Sequence, residues 1–210
     1  MTKWLSILFL VAVTCPAGSQ DKPASATKES TQSSCELTQD DYAVFGALLN
    51  VLRGPEDPEE AWERKQMLIA NVTTPPFPDQ PVEQTRWGFR SNSKAAPSQE
   101  TLSDYVEKAH STCAVKPEFG DPHSYEIIAR EELDSFFKKG GGWWQGFYQK
   151  YPKSAGYWQF SRPGYNSTGD EALLYADHVC GDLCGTGHLY LLSKQSGKWT
   201  VKNHVMLWIS

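Results

Sequence analysis

The last third of the chain restricts the fold most. Four segments near 157–165, 171–179, 187–194 and 199–209 are rich in aromatic and β-branched residues. Turn signals part them: Asn166-Ser167-Thr168-Gly169-Asp170, then a Cys–Gly loop over 180–185, then Gln195-Ser196-Gly197-Lys198. Short strands separated by Gly, Asn and Asp are the pattern of an antiparallel meander. In the final segment Val201, Val205, Leu207 and Ile209 fall on one side, with Asn203 an exception. Lys202, His204, Met206 and Trp208 fall on the other.

Helical periodicity dominates upstream. Thr38-Gln39-Asp40-Asp41 offers a capping hydroxyl and first-turn acids, and Tyr42, Phe45, Leu48, Leu49 and Leu52 recur at three- and four-residue steps until Gly54-Pro55. Glu59–Lys65 can add a helical turn. Met67–Val72 reads as a buried strand, and Pro75, Pro76, Pro78 and Pro81 enforce an extended loop. Thr101–Ser111 has helical spacing, Tyr125–Ala129 alternates like a strand, and Glu131–Lys139 restarts a helix that Gly140-Gly141-Gly142 breaks. Trp143–Tyr151 makes another short helix, stopped at Pro152. The expectation is an α+β domain whose N-terminal and central helices pack on one side of a curved C-terminal antiparallel meander of about four to six strands.

The first residues carry an export grammar. Lys3 precedes an apolar run, Trp4 to Val13, and Ala17-Gly18-Ser19 supplies small side chains for a peptidase. A bilayer span takes about twenty apolar residues, so this run is too short, and no second one follows. Residues 1–19 read as a signal peptide, leaving no transmembrane segment after its removal. A rival reading acylates Cys15 as a lipid anchor, although Thr14 before it and Pro16 after it fit poorly. Residues 20–34 contain no large apolar side chain and read as a flexible linker. The folded domain then covers 35–210, secreted or periplasmic.

Cysteine use agrees with export. Once Cys15 is set aside, Cys35, Cys113, Cys180 and Cys184 remain, and four cysteines allow three pairings. Proximity favours Cys180 with Cys184, leaving Cys35 with Cys113. By loop entropy the 78-residue closure is worth about 4.5 kcal/mol and the four-residue one about 2 kcal/mol.

Function is less legible. The net charge of −5 lacks the basic balance that phosphate neutralisation needs, which excludes a general nucleic-acid binder. No nucleophile elbow, zinc-protease helix motif or phosphate loop occurs. Asp177 and His178 are adjacent, so on a strand they face opposite ways and form no dyad. Asp104, Glu107 and His110 share a helix surface, as exposed pairs often do. His178, Cys180, Cys184 and His188 are the residue types of a tetrahedral zinc site, with the histidines opposite each other if the strands pair symmetrically. A disulfide would remove both thiolates.

Trp143, Trp144, Phe147, Tyr148 and Tyr151 form an aromatic helix in which Trp143 lies apart from the shared side. Exposed aromatics stack on sugar rings or fill a partner's pocket. Arg162 can clamp an anion. The leading reading is a binding module for an extracellular or envelope ligand, without a cofactor. Its binding residues are Trp143, Trp144, Tyr148 and Arg162, set on the concave meander face and the aromatic helix. The alternatives are a small hydrolase of extracellular polymers, the zinc protein, and a purely structural envelope protein.

One block also carries a resemblance. Phe160-Ser161-Arg162-Pro163-Gly164-Tyr165-Asn166, Ala172-Leu173-Leu174-Tyr175, Cys180-Gly181-Asp182-Leu183-Cys184-Gly185, Tyr190-Leu191-Leu192, Gly197-Lys198-Trp199-Thr200-Val201 and Leu207-Trp208-Ile209-Ser210 resemble a family of exported bacterial proteins of no established activity. In that family a Cys-Gly-x-Leu-Cys-Gly loop joins two strands. The likeness is dense over 143–210, thinner over 41–73, and implies no catalytic residue. The helices-then-meander plan also resembles the cystatin and nuclear-transport-factor cone folds, a likeness of architecture that implies no activity.

Overall fold

The structure, a computed structural model, describes residues 35–54, 66–77, 88–89, 95–121 and 123–210, which belong to one compact unit. The signal-peptide and linker readings (1–34), the Glu59–Lys65 turn, and Pro78 and Pro81 lie outside the described residues.

Helix α1 (Gln39–Leu52) starts where capping chemistry places it: Thr38 Oγ1 accepts from the Asp41 amide at 3.2 Å, and the Thr38 amide donates to Asp41 Oδ2 at 2.8 Å. Then come β1 (Gln66–Ala70), α2 (Gln99–Lys108), β2 (Tyr125–Ile128), α3 (Arg130–Phe137) and α4 (Trp143–Lys150). The C-terminal strands are β3 (Ser154–Phe160), β4 (Gly164–Tyr165), β5 (Glu171–Gly181), β6 (Cys184–Gln195) and β7 (Lys198–Ile209). All seven described strands form one sheet in the order β2-β1-β3-β5-β6-β7, with β4 continuing the β3 edge along β5. The fold is α+β.

The meander is present from β3 to β7, each pair antiparallel. Onto it the structure adds β1 and β2, which run parallel to each other, β1 also running parallel to β3. Parallel strands need coverage on both faces, and the burial of Met67, Leu68, Ile69 and Ala70 in succession shows that β1 has it. The helices therefore do not share one side. Helix α1 packs Tyr42, Val44, Phe45, Leu48 and Leu49 against Met67, Ile69, Phe160, Ala172, Leu174, Ala176 and Leu192 on one face. On the opposite face α2 covers Leu173, Tyr175, Leu189 and Leu191, while α3 and α4 cover Leu68, Ala70 and Ile128. The expectation of one-sided packing is corrected. The unbroken apolar runs of β1 and β5 carry that information, because a half-exposed strand alternates.

Strand β7 holds a second correction. Its register against β6 slips once between Leu191 and Leu192 and again between Gly187 and His188. Each bulge inserts a residue and resets which side chains face which way. Val201 and Ile209 thus share the α1 face with His204 and Met206, whereas Asn203, Val205, Leu207 and Trp208 turn to the other. Asn203, the exception to simple alternation, donates its side-chain amide to the Ala95 carbonyl at 2.9 Å beside α2.

Both disulfides are present, Cys35–Cys113 with Cα atoms 4.7 Å apart and Cys180–Cys184 with 5.0 Å. The first ties the approach to α1 to the segment after α2. The second closes the β5–β6 hairpin. No helix among the described residues is long and apolar enough to cross a membrane.

Candidate functional site

Three arrangements on this sheet carry chemistry: an aromatic surface on α4, a buried polar chain on the same sheet face, and a row of histidines on the α1 face.

The aromatic surface begins at a tight turn. Gly140 and Gly142 hold φ values of 91° and 81°, and a Cβ on Gly141 would lie 2.0 Å from the Ser135 carbonyl oxygen. The glycines let α4 fold back against α3. The turn also leaves Trp143 at φ 52°, in the left-handed region that bulky residues avoid. Its ring is 57% exposed and meets Phe137 edge-on at 6.2 Å. Trp144, half-buried, stacks on Tyr148 at 5.8 Å and on Tyr157 of β3 at 6.1 Å, and meets Phe137 at 5.0 Å. Phe147 fills the core below, and Tyr151 donates to Glu132 at 2.6 Å. Tyr148 donates its hydroxyl to the Cys180 carbonyl at 2.8 Å, which links the surface to the disulfide-closed hairpin. Burial pushes the Tyr157 phenol up to about 12 and raises Tyr148 as well, so both are neutral donors at physiological pH.

Trp143, Trp144 and Tyr148 therefore lie together, joined by Phe137 and Tyr157, which sequence periodicity did not group with them. Arg162 does not join them. It follows the β3 edge just before Gly164, which pairs with Leu173, whereas Tyr157 pairs with Val179. Six residues along β5 separate those two points, about 20 Å. The Arg162 guanidinium instead lies near Tyr165, whose phenol donates to Asp41 at 2.8 Å, and its buried Nε has no hydrogen-bond partner.

The buried chain runs across the sheet between α2 and α3. Trp208 Nε1 donates to the Tyr175 hydroxyl at 2.8 Å, and that hydroxyl has Asp177 Oδ2 and the Phe77 carbonyl each at 3.2 Å. Gln159 Nε2 donates to both Asp177 oxygens, while its Oε1 accepts from Arg130 at 2.8 Å and from Thr74 at 3.2 Å. Arg130 Nε also binds Asp134 at 2.9 Å. Asp177 is only 5% exposed, and burial pushes its carboxyl up to about 6 against the opposing pull of Gln159 and Tyr175. This chain was not foreseen from sequence. Its signal is an aspartate closing the apolar run Ala172–Ala176, on a strand whose partner carries Gln159.

Asp177 and His178 do face opposite ways. His178 stacks on Trp158 at 4.6 Å and its Nε2 lies 2.7 Å from the Ala155 carbonyl oxygen. The register pairs His178 with Thr186 and His188 with Ala176, so the two histidines share a face but stand diagonally rather than opposite. With Cys180 and Cys184 joined, the four-residue zinc arrangement has no thiolates to offer. Among the described residues no three or more His, Cys, Asp or Glu side chains are placed to hold a metal ion. His188 instead neighbours His204, their ring centres 5.6 Å apart, with Tyr190 5.8 Å from the first and 5.7 Å from the second.

Two open grooves lie elsewhere. One of about 760 Å³ runs outside α1 past Ala43, Ala47, Phe119 and Trp199. One of about 370 Å³ lies between α2 and the β4–β5 turn, where Glu100 accepts from the Ser167 amide and hydroxyl, and Asp104 from the Tyr165 amide. No family model, no curated protein and no solved structure matches the chain.

Proposed function

We propose that this chain is a binding module that works outside the cytoplasm and holds the sugar rings of an envelope or extracellular glycan on the aromatic surface of α4. The observation that carries this reading is Trp143, a large ring kept more than half in water by a backbone conformation that costs about 1–2 kcal/mol. A residue retained against both its apolar nature and its backbone preference is a candidate for ligand contact. Trp144, Tyr148 and Tyr157 extend the platform, and stacking on these aromatic faces suits a saccharide. Two disulfides support an oxidising compartment.

Titration with soluble N-acetylglucosamine oligomers and with soluble cell-wall glycan fragments, followed by tryptophan fluorescence and calorimetry, tests the proposal. Saturable binding weakened at least tenfold in Trp143→Ala, about 1.4 kcal/mol, is the expected result. No binding, or equal binding by both proteins, ends it.

The hydrolase reading draws on Asp177, whose carboxyl titrates near 6, in the range of a general acid. Its burial and its engaged oxygens leave a substrate no access, so the same observations favour a role inside the fold. Hydrolysis of a glycan by the wild-type protein that disappears in Asp177→Asn would reverse that preference.

A further inference from the structure

Three of the five histidines stand on the α1 face of consecutive strands: His178 on β5, His188 on β6 and His204 on β7. His178 is occupied by Trp158 and the Ala155 carbonyl. The other two have a different neighbour. The register sets Met206 directly opposite His188 and Tyr190 directly opposite His204, so His204 and Met206, two residues apart, share the face that His188 occupies. The β7 bulges produce this juxtaposition.

The spacing of the two imidazole rings is compatible with one small ion between them. Two imidazoles bound to the same metal, with metal–nitrogen bonds of about 2.0 Å and an angle between tetrahedral and trigonal, have ring centres about 5–5.5 Å apart. His188 and His204 are at 5.6 Å. Directly opposed strand side chains start from Cβ atoms about 4.5–5.5 Å apart, which puts the flexible Met206 thioether in reach of an ion held by His188. The face is open here: His204 is exposed and Met206 is 52% exposed. That exposure is unlike the other described methionine, Met67, which sits in the core. A thioether presented to solvent beside two imidazoles contributes little to packing and is a soft ligand.

We propose that His188, His204 and Met206 form a binding site for Cu(I), with two imidazole nitrogens and one thioether sulfur as ligands. Soft thioether donors select Cu(I), whereas Mg²⁺ and Ca²⁺ require oxygen ligands that this trio lacks. The Cys180 and Cys184 sulfurs, tied to each other, do not compete for the ion. The site lies on the opposite face of the sheet from the α4 aromatic surface, and neither proposal depends on the other.

The test uses the full chain carrying Cys15→Ser, so that no thiol outside the two disulfides competes for the ion, without added tag histidines and with both disulfides intact. Cu(I), kept reduced by ascorbate under anaerobic conditions, is competed from its coloured bicinchoninate complex, and Ag(I) serves as a redox-inert probe by native mass spectrometry. One ion per chain is expected with either probe. Loss of a residue that merely supports a metal ligand costs about 10- to 100-fold in affinity, so His204→Ala should lose at least that much. Met206→Leu should weaken Cu(I) about tenfold or more while leaving Zn²⁺ affinity unchanged. His204 and Met206 are exposed, so both variants should keep the wild-type melting temperature, and His188→Phe preserves ring volume at the half-buried position. Absence of Cu(I) binding, or undiminished binding in His204→Ala, overturns the site. Equal Cu(I) affinity in Met206→Leu overturns the thioether assignment.

Discussion

Gln159 on β3 and Asp177 on β5 are register partners, and the Gln159 amide donates to both carboxylate oxygens, at 3.2 and 3.4 Å. The pair lies where the α2 cluster and the α3–α4 cluster meet, with Tyr175 and Trp208 on one side and Arg130 and Thr74 on the other. It is a polar seam between two apolar halves of one sheet face.

That seam should make stability depend on pH. The folded carboxyl titrates near 6 and its ordinary value is 3.8, so the native state holds a proton that the unfolded chain has already released. The stabilising share is present below about pH 4 and is lost as pH rises through 6, with an upper bound of about 3 kcal/mol. Asp177→Asn removes the titration. Urea midpoints at pH 4, 5, 6 and 7 should move in favour of the variant as pH rises, and parallel profiles would sink the assignment.

Trp143 offers a separation of strain from contact. Trp143→Gly relieves the left-handed backbone, whereas Trp143→Ala keeps it, and both discard the ring. The glycine variant should therefore exceed the alanine variant in stability by about 1 kcal/mol in thermal melts. Both should lose the proposed glycan binding alike, since neither has the ring to stack.

The two disulfides should differ in worth. Replacing Cys35 and Cys113 with serine opens a 78-residue loop and should cost about 4.5 kcal/mol; the same change at Cys180 and Cys184 should cost about 2 kcal/mol. Denaturant midpoints of the two double variants measure the gap. The hairpin variant should also loosen the Tyr148 contact with the Cys180 carbonyl, visible as faster amide exchange in α4.

Gly164→Ala should be severe. A Cβ there would lie 2.2 Å from the backbone nitrogen of Tyr105 in α2, so the helix must shift or β4 must leave β5. The expected loss is about 3 kcal/mol, read from the melting temperature, and a wild-type value would contradict the close approach.

Local chemistry was legible throughout. The Thr38 cap, the triple-glycine break, the meander turns and the Cys180–Cys184 pairing each involve residues near in sequence. Helical spacing set Trp143 apart from the shared side, but its left-handed backbone, which holds the ring in water, was not legible. The aromatic surface was half visible: Trp143, Trp144 and Tyr148 share a helix, but Phe137 and Tyr157 reach them only through the α3–α4 turn and the parallel β1–β3 register. Arg162 reads in the sequence as an anion clamp inside the aromatic strand, and strand length carries it away from the α4 surface.

What the amino-acid order determined alone is the identity of the elements, because caps, turns and periodicity act within a few residues. What only tertiary structure decided is which side each element faces. Alternation is relative, so two bulged residues in β7 suffice to bring His204 and Met206 beside His188, and no local signal marks a bulge whose partner strand is unknown. The same holds for Asp177: an aspartate in an apolar run becomes a buried acid near pH 6 only once the sheet has been covered on both faces.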